Sequence, residues 1–506
     1  MTDDVAVPRV SGVLDDRTPL TASRIDVAAR VGWLLRTHRS VAGLSLREMS
    51  MALRDHDVTL SAATLSRIES EGHRSVAALD GYAAVLGLPE GALRVPVSLL
   101  CRTFPYAPEE QSKPAVRCLD RFSRACEAVE VAAPTGGAWL EFARQHAEDG
   151  GLGLPRALME THVRRLAREL TRSMGVGRGT RSEALVLLRC SIYAEVVDDV
   201  VRPLVLDPDS QNYWDLLSTS SDHPTPSLLD WLASLLGEPS IYRALGASYA
   251  LQNMLVVGGL GLEDWSRLAP HLHRAWEDSD GDPARRELLG QLWSALPPPL
   301  QAQIRETCCP EPTTRPVPRV WSRTRRNVHY GFADSVARTV TARRGQAEDP
   351  LLSRLLFEAM FDPRGVRLSN ATRLLAYSPF AADLVRVLLE ERDRCPDAVS
   401  RTAALRVAAY CHAGEDVAGV DALLDSGGDA DFEHALTIYG RSGRLLPQAA
   451  VDRGLAADEM TARRTLYALG LAGDPRLTGI SSQTSLPTWV RRGADWWTDL
   501  GPRIEV

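Results

Sequence analysis

The apolar positions of this chain fall into segments with helical spacing. Met49 and Leu53 lie four apart, Leu65 and Ile68 three apart, and Val76, Leu79, Tyr82, Ala83 and Leu86 continue the period up to Gly87. Such spacing lines one side of a helix with 3.6 residues per turn. The same period predicts longer helices from Arg156 to Ser173, Ser182 to Val201, Ser227 to Leu236, Ile241 to Val257 and Pro283 to Leu296, the last punctuated by Pro297, Pro298 and Pro299. Residues 1–23 mix Asp, Pro, Thr and Ser without a period and predict a flexible leader. Residues 310–320 carry prolines at 310, 312, 316 and 318, which exclude helix and predict an extended connector.

The last third of the chain repeats. Leu374, Leu405, Leu436 and Leu466 recur at intervals of 31, 31 and 30 residues, and each is followed by Gly, Pro or Ser punctuation and a second apolar stretch, around Val387, Val420, Ala449 and Leu477. A helix, a tight turn and a second helix per unit buries an apolar face only by stacking on its neighbours. Residues 365–485 thus resemble short HEAT-like repeats. The expected division is a leader (1–23), an N-terminal module (24–95), a helical central domain (96–309), a proline- and arginine-rich connector (310–345) and a helical-repeat domain (346–506).

Composition sharpens this picture. Hydrophobic residues make up 44% of the 506 positions and aromatics only 6%, the apolar set being mostly Leu, Ala and Val, which suits packed helices better than sheets. The fold class expected is all-α. A net charge of -7 excludes a protein coated in positive charge, so any nucleic-acid contact must be a local patch. Nearly every basic residue is arginine, Lys113 being the single lysine. Eight cysteines show no C-x-x-C pair or zinc spacing and are expected as buried thiols. Asp3 and Asp4 stand where a signal peptide needs positive charge, and no apolar run is long enough for a membrane span, so a cytoplasmic location and no membrane partner are expected. Residues 315–344 hold eight arginines against Asp334, interleaved with Trp321, His329 and Tyr330. That pattern suits either nucleic-acid binding or a solvated linker whose arginines pair with acidic neighbours.

One segment carries a specific motif. Residues 35–45 read Leu-Arg-Thr-His-Arg-Ser-Val-Ala-Gly-Leu-Ser, and residues 61–69 read Ser-Ala-Ala-Thr-Leu-Ser-Arg-Ile-Glu. Gly43 suits a left-handed helix end, Ser45 with Glu48 forms a capping box, and Ser61 is an N-cap. These stretches resemble the L-R-x-x-R-x-x-x-G-L-S and S-x-x-T-I-S-R-I-E signatures of the Xre-type, phage-repressor-like helix-turn-helix regulators. The resemblance covers residues 24–95. It implies a five-helix lambda-repressor-like DNA-binding domain, in which Ser61, Ala62, Ala63, Thr64, Ser66 and Arg67 lie on the recognition helix and Arg47 and Arg74 reach DNA from its flanks. Arg67, the one long side chain expected on the groove side, reads a guanine edge, touches phosphate or pairs with Glu71. Two features depart from the family: residues 54–60 make a turn some five residues longer than usual, and His38 replaces an apolar residue, expected here as a partly exposed core histidine. Between Arg24 and Ala78 eight arginines face six acids, a weakly positive balance.

Candidate catalytic chemistry is sparse. Gly175-Val-Gly-Arg-Gly179 lacks the spacing of a dinucleotide loop and is expected as a flexible turn, and His271 and His273 lack an evident third metal ligand. The expected function is a sequence-specific DNA-binding transcriptional regulator, not an enzyme, with no cofactor or metal. Its partners are a double-stranded operator, a second copy in a homodimer, and a protein, peptide or small-molecule effector on the helical body. The alternative is a protein-interaction adaptor in which the helix-turn-helix is a docking module.

Overall fold

The computed structural model describes residues 16–22, 24–104, 119–147, 153–221, 223–256, 260–307, 323–412, 414, 419–426 and 428–504. Among them every regular element is helical. There are 27 α-helices, and the one β contact is an isolated parallel bridge between Ser173 and Ile504. None of these helices is long and apolar enough to cross a membrane.

Five helices open the described chain: α1 (Val27–Val41), α2 (Leu46–Ala52), α3 (Ala62–Glu71), α4 (Val76–Val85) and α5 (Arg94–Thr103). Most helices expected from periodicity further on are present, as Arg156–Leu170, Pro226–Leu235, Ile241–Val256 and Pro283–Ala295. The expected Ser182 to Val201 helix is instead two, Gly175–Arg189 and Ala194–Leu206. Ser191 breaks it by donating to the Leu188 carbonyl (2.7 Å) and accepting from the Tyr193 amide (3.1 Å). The Gly175–Gly179 run is the first turn of a helix rather than a flexible turn.

The cores do not follow the sequence division. Residues Ile25 to Cys101, together with Met174, share one continuous hydrophobic core with the C-terminal half (Ala333 to Trp497), while other residues between Val129 and Leu300 form a second. The reason lies in α1, whose buried residues include Val27, Arg30, Val31, Trp33, Leu34, Leu35 and His38, so it is covered on nearly every side. A helix buried all round lies between layers rather than on the edge of a small module. Its inner face supports α3, and its outer face docks on the helix Pro350–Phe361.

That docking is ionic. Arg30, fully buried, forks onto Glu358 (2.8 and 2.9 Å) and reaches Asp16 (2.8 Å). Glu358 also receives Arg354 (3.0 Å) and Arg367. Trp33 Nε1 donates to Asp349 (2.7 Å), and His38 Nε2 donates to the Tyr377 carbonyl (2.9 Å). His38 is therefore a buried, hydrogen-bonded residue, not a partly exposed one. Burial holds its imidazole below the ordinary value, opposed by the bond to Tyr377. Asp16 is buried and the carbonyls of Thr18, Leu20 and Ala22 receive Arg354, Arg364 and Arg367, so this stretch of the expected flexible leader is tied to the C-terminal half.

The expected connector differs as well. Its proline-rich part lies outside the described residues, but Arg323–Arg343 is a helix. His329 stacks on Phe361 at 4.2 Å, and Tyr330 packs on Phe357. Arg338 pairs with Asp334, Arg343 with Glu390 and Arg344 with Asp383. These side chains are committed to internal partners. The expectation of buried thiols also fails in part: Cys101 and Cys411 are buried, Cys126 and Cys395 half-buried, and Cys190 exposed.

In the C-terminal half Leu374, Leu405, Leu436 and Leu466 are each no more than 1% exposed. They sit on the helices Gly365–Ala376, Ala398–Cys411, Asp429–Ser442 and Glu459–Ala472, and each is followed by a second helix: Ala381–Glu390, Val420–Ser426, Gln448–Ala456 and Arg476–Ser482. Successive first helices pack together. Arg441 reaches back to the carbonyls of Ala409 (2.8 Å) and Tyr410 (2.7 Å), Arg453 to Leu424 (3.1 Å) and Arg476 to Leu446 (2.6 Å). Glycine allows the closest approach: a Cβ at Gly470 would lie 1.9 Å from the Trp497 ring.

Candidate nucleic-acid interface

The motif region is built around α3. α1 ends with Ala42 as C-cap and Gly43 at φ +74°, the left-handed conformation that glycine adopts without a Cβ penalty. The capping box at α2 is complete: Ser45 Oγ accepts the Glu48 amide at 3.2 Å, and Glu48 accepts the Ser45 amide at 2.7 Å. Hydrogen bonds from the Ser45 side chain and amide hold the Glu48 carboxyl below its ordinary value. The long connection after α2 is ordered. Leu53–His56 continue as a 3-10 turn, Asp57 closes it at φ +60°, and Ser50 Oγ donates to the Leu60 carbonyl (2.6 Å). Val58 and Leu60 pack against the core, so the extra residues project only Arg54, Asp55, His56, Asp57 and Thr59 outward.

Ser61 caps α3, accepting the Thr64 amide at 3.1 Å, and its hydroxyl also meets that of Thr64 at 2.9 Å. On the inner side Leu65 and Ile68 are buried, together with Glu69. Glu69 accepts Arg39 Nε and Nη2 of α1 (2.6 and 2.7 Å) and the Tyr82 hydroxyl of α4 (2.9 Å). Arg39 Nη1 also donates to the Leu44 carbonyl (2.7 Å). One buried carboxylate thus joins three helices. At the far end Gly72 (φ +66°) abuts α1 so closely that a Cβ would lie 2.1 Å from the Ala28 oxygen.

With the inner side fixed, the outer side of α3 is open. Ala63, Ser66 and Arg67 are exposed, and Ala62 and Thr64 half-buried. Glu71 bonds His73 (2.7 Å). Arg47 is exposed near the start of α2. Arg74 is half-buried beyond the C-cap, so it and Ser61 stand at opposite ends of a helix about 15 Å long. The structure therefore groups Ala63, Ser66 and Arg67 and leaves Arg74 apart. It adds Ser70, exposed on the same face and overlooked in the sequence, although its spacing of seven from Ala63 signals it. The Arg39–Glu69–Tyr82 cluster was overlooked too.

No family model, curated protein or solved structure matches the chain. The chemistry of the face must be judged from its own groups. It offers a guanidinium and hydroxyls between small side chains, suited to hydrogen-bonding a flat polar edge. Its field is weak, because Arg30 and Arg39 are neutralised internally along with Glu69. Of the residues from 24 to 78 that leaves six arginines against five acids.

Proposed function

We propose that this chain is a sequence-specific DNA-binding transcriptional regulator. The observation that carries the reading is α3: a capped helix with its inner side locked through Glu69 to α1 and α4 and its polar outer side, Ala63, Ser66, Arg67 and Ser70, left open. In this reading α2 and α3 are the helix-turn-helix of a lambda-repressor-like module. α3 enters the major groove, Arg67 reads a base edge, and Arg47 meets phosphate. The C-terminal helix pairs are HEAT-like repeats presenting a surface to an effector. A module with so little net charge contacts few phosphates, which favours a homodimer on two half-sites.

The same low charge favours a second reading, a protein-interaction adaptor with the N-terminal module as a docking element. Selection from random double-stranded DNA with the full-length protein separates the two. The regulator yields an enriched, two-fold symmetric sequence. An unenriched pool rejects it and leaves the adaptor.

A further inference from the structure

A cavity of about 120 Å³ lies where three parts of the chain meet. Its walls come from α5, from the helices Gly175–Arg189 and Trp214–Ser218, and from the first helices of three C-terminal pairs, Gly365–Ala376, Ala398–Cys411 and Asp429–Ser442. Its charge is unbalanced: Arg102, Arg178, Arg373 and Arg441 line it against Glu183 and Asp215.

Both carboxylates are taken. Glu183 receives a fork from Arg102 (2.6 and 2.7 Å), and Asp215 pairs with Arg178. Among the described residues the Arg373 side chain bonds only the Tyr410 hydroxyl, at 3.3 Å. Arg441 uses Nη1 on the carbonyls of Ala409 and Tyr410 and also bonds the Tyr467 hydroxyl, while its buried Nε finds no partner among the described residues. Neither meets a carboxylate among the described residues. An enclosed guanidinium without a counter-ion carries a desolvation cost that a bound anion relieves.

Two further features point the same way. The helix Gly175–Arg189 begins at this cavity, and its N-cap, Met174, contributes no side-chain bond, so the first-turn amides add positive potential. Glycine brings that turn close: a Cβ at Gly179 would lie 1.6 Å from the Tyr377 hydroxyl. Burial alone would raise the Tyr410 phenol, yet Arg373 and Arg178 outweigh it and lower it. Val95, Leu99, Leu170, Val186 and Ala376 supply an aliphatic part of the wall, beside the hydroxyls of Ser182 and Ser218.

We infer that this cavity binds a small carboxylate with a short apolar tail, its oxygens on Arg373 and Arg441 and its tail against the aliphatic wall. The volume suits on the order of six non-hydrogen atoms, since dry cavities of about 150 Å³ accept benzene.

Titration calorimetry on the full chain tests this with butyrate, acetate, inorganic phosphate and n-butylammonium. Butyrate should bind saturably and more tightly than acetate, and n-butylammonium should not bind. R373Q and R441Q should each weaken butyrate by about ten-fold or more, while R492Q, at a surface pair with Asp209, leaves it unchanged. A376L, which fills the cavity without removing a charge, should abolish binding and covers the case in which an arginine variant fails to fold. Absence of saturable butyrate binding, or binding indifferent to all three cavity variants, overturns the proposal. Phosphate binding about ten-fold tighter than butyrate overturns the carboxylate assignment. The titration uses no DNA, so its outcome is independent of the DNA-binding reading.

Discussion

Replacing Glu69 with alanine removes a buried carboxylate that ties α3 to two other helices. Arg39 would lose contacts of 2.6 and 2.7 Å and Tyr82 one of 2.9 Å, leaving Arg39 the Leu44 carbonyl and the neighbouring Tyr82 hydroxyl. The side chains of Arg39 and Glu69 are 12% and 6% exposed, so the guanidinium is stranded where water scarcely reaches. Breaking a buried pair costs about 3–5 kcal/mol. The surviving bond to Leu44 puts this case at the lower end, about 3 kcal/mol, or on the order of a hundred-fold in local opening. Glu69→Gln keeps an oxygen acceptor and should cost about 1–2 kcal/mol. Arg39→Met with Glu69→Leu removes both charges and should recover most of the loss. Hydrogen exchange on the full-length protein reads this locally, with the helix Pro226–Leu235 of the second core as a control that should not change. Operator affinity should fall although no outward-facing residue has changed. Wild-type exchange across α3 in Glu69→Ala would refute the reasoning and show that burial of Leu65 and Ile68 alone positions the helix.

Two other outcomes are expected. Acid should release residues 16–22: burial alone would raise Asp16 and Glu358, but the guanidinium groups of Arg30 and its neighbours outweigh it and hold both below the ordinary carboxylate range. Stability from depressed carboxylates is present above their unfolded pKa and lost as pH falls through the folded value, so release should appear below about pH 4 in hydrogen exchange of this stretch, and none down to about pH 2 would contradict it. Asp349, raised by burial, works in the opposite direction and limits the loss. Gly470→Ala should lower the melting temperature by overpacking Trp497, at about 1–3 kcal/mol, whereas Gly479→Ala, with nothing within 4 Å, should raise it slightly; equal effects would contradict the packing account.

What was legible in the sequence was local. The capping box at Ser45, the cap at Ser61, the helix end at Gly43 and the burial of Leu65 and Ile68 each follow from a few neighbouring residues, and the spacing of Leu374, Leu405, Leu436 and Leu466 marked four buried helix positions. What escaped was set by distant partners. Arg30 resembles a surface charge until Glu358, 328 residues away, supplies its counter-ion. Arg343 and Arg344 resembled part of a linker because Glu390 and Asp383 lie beyond any local window. The glycines at 175–179 suggested a turn because the close approach of Gly179 to Tyr377 appears only in three dimensions.

The central claim is that the outer face of α3 reads DNA, and Arg67 and Arg47 divide its two kinds of contact. Binding of the wild-type protein, Arg67→Ala and Arg47→Ala should be measured on the selected operator and on a scrambled duplex at one salt concentration, because salt alone shifts such affinities by orders of magnitude. The account predicts that Arg67→Ala weakens operator binding by about 1–3 kcal/mol and relaxes one base position, leaving the scrambled duplex nearly unaffected. Arg47→Ala should weaken both duplexes alike. Equal losses on both duplexes for Arg67→Ala would contradict base reading by this arginine, and unchanged affinity for both variants would contradict DNA binding by this face.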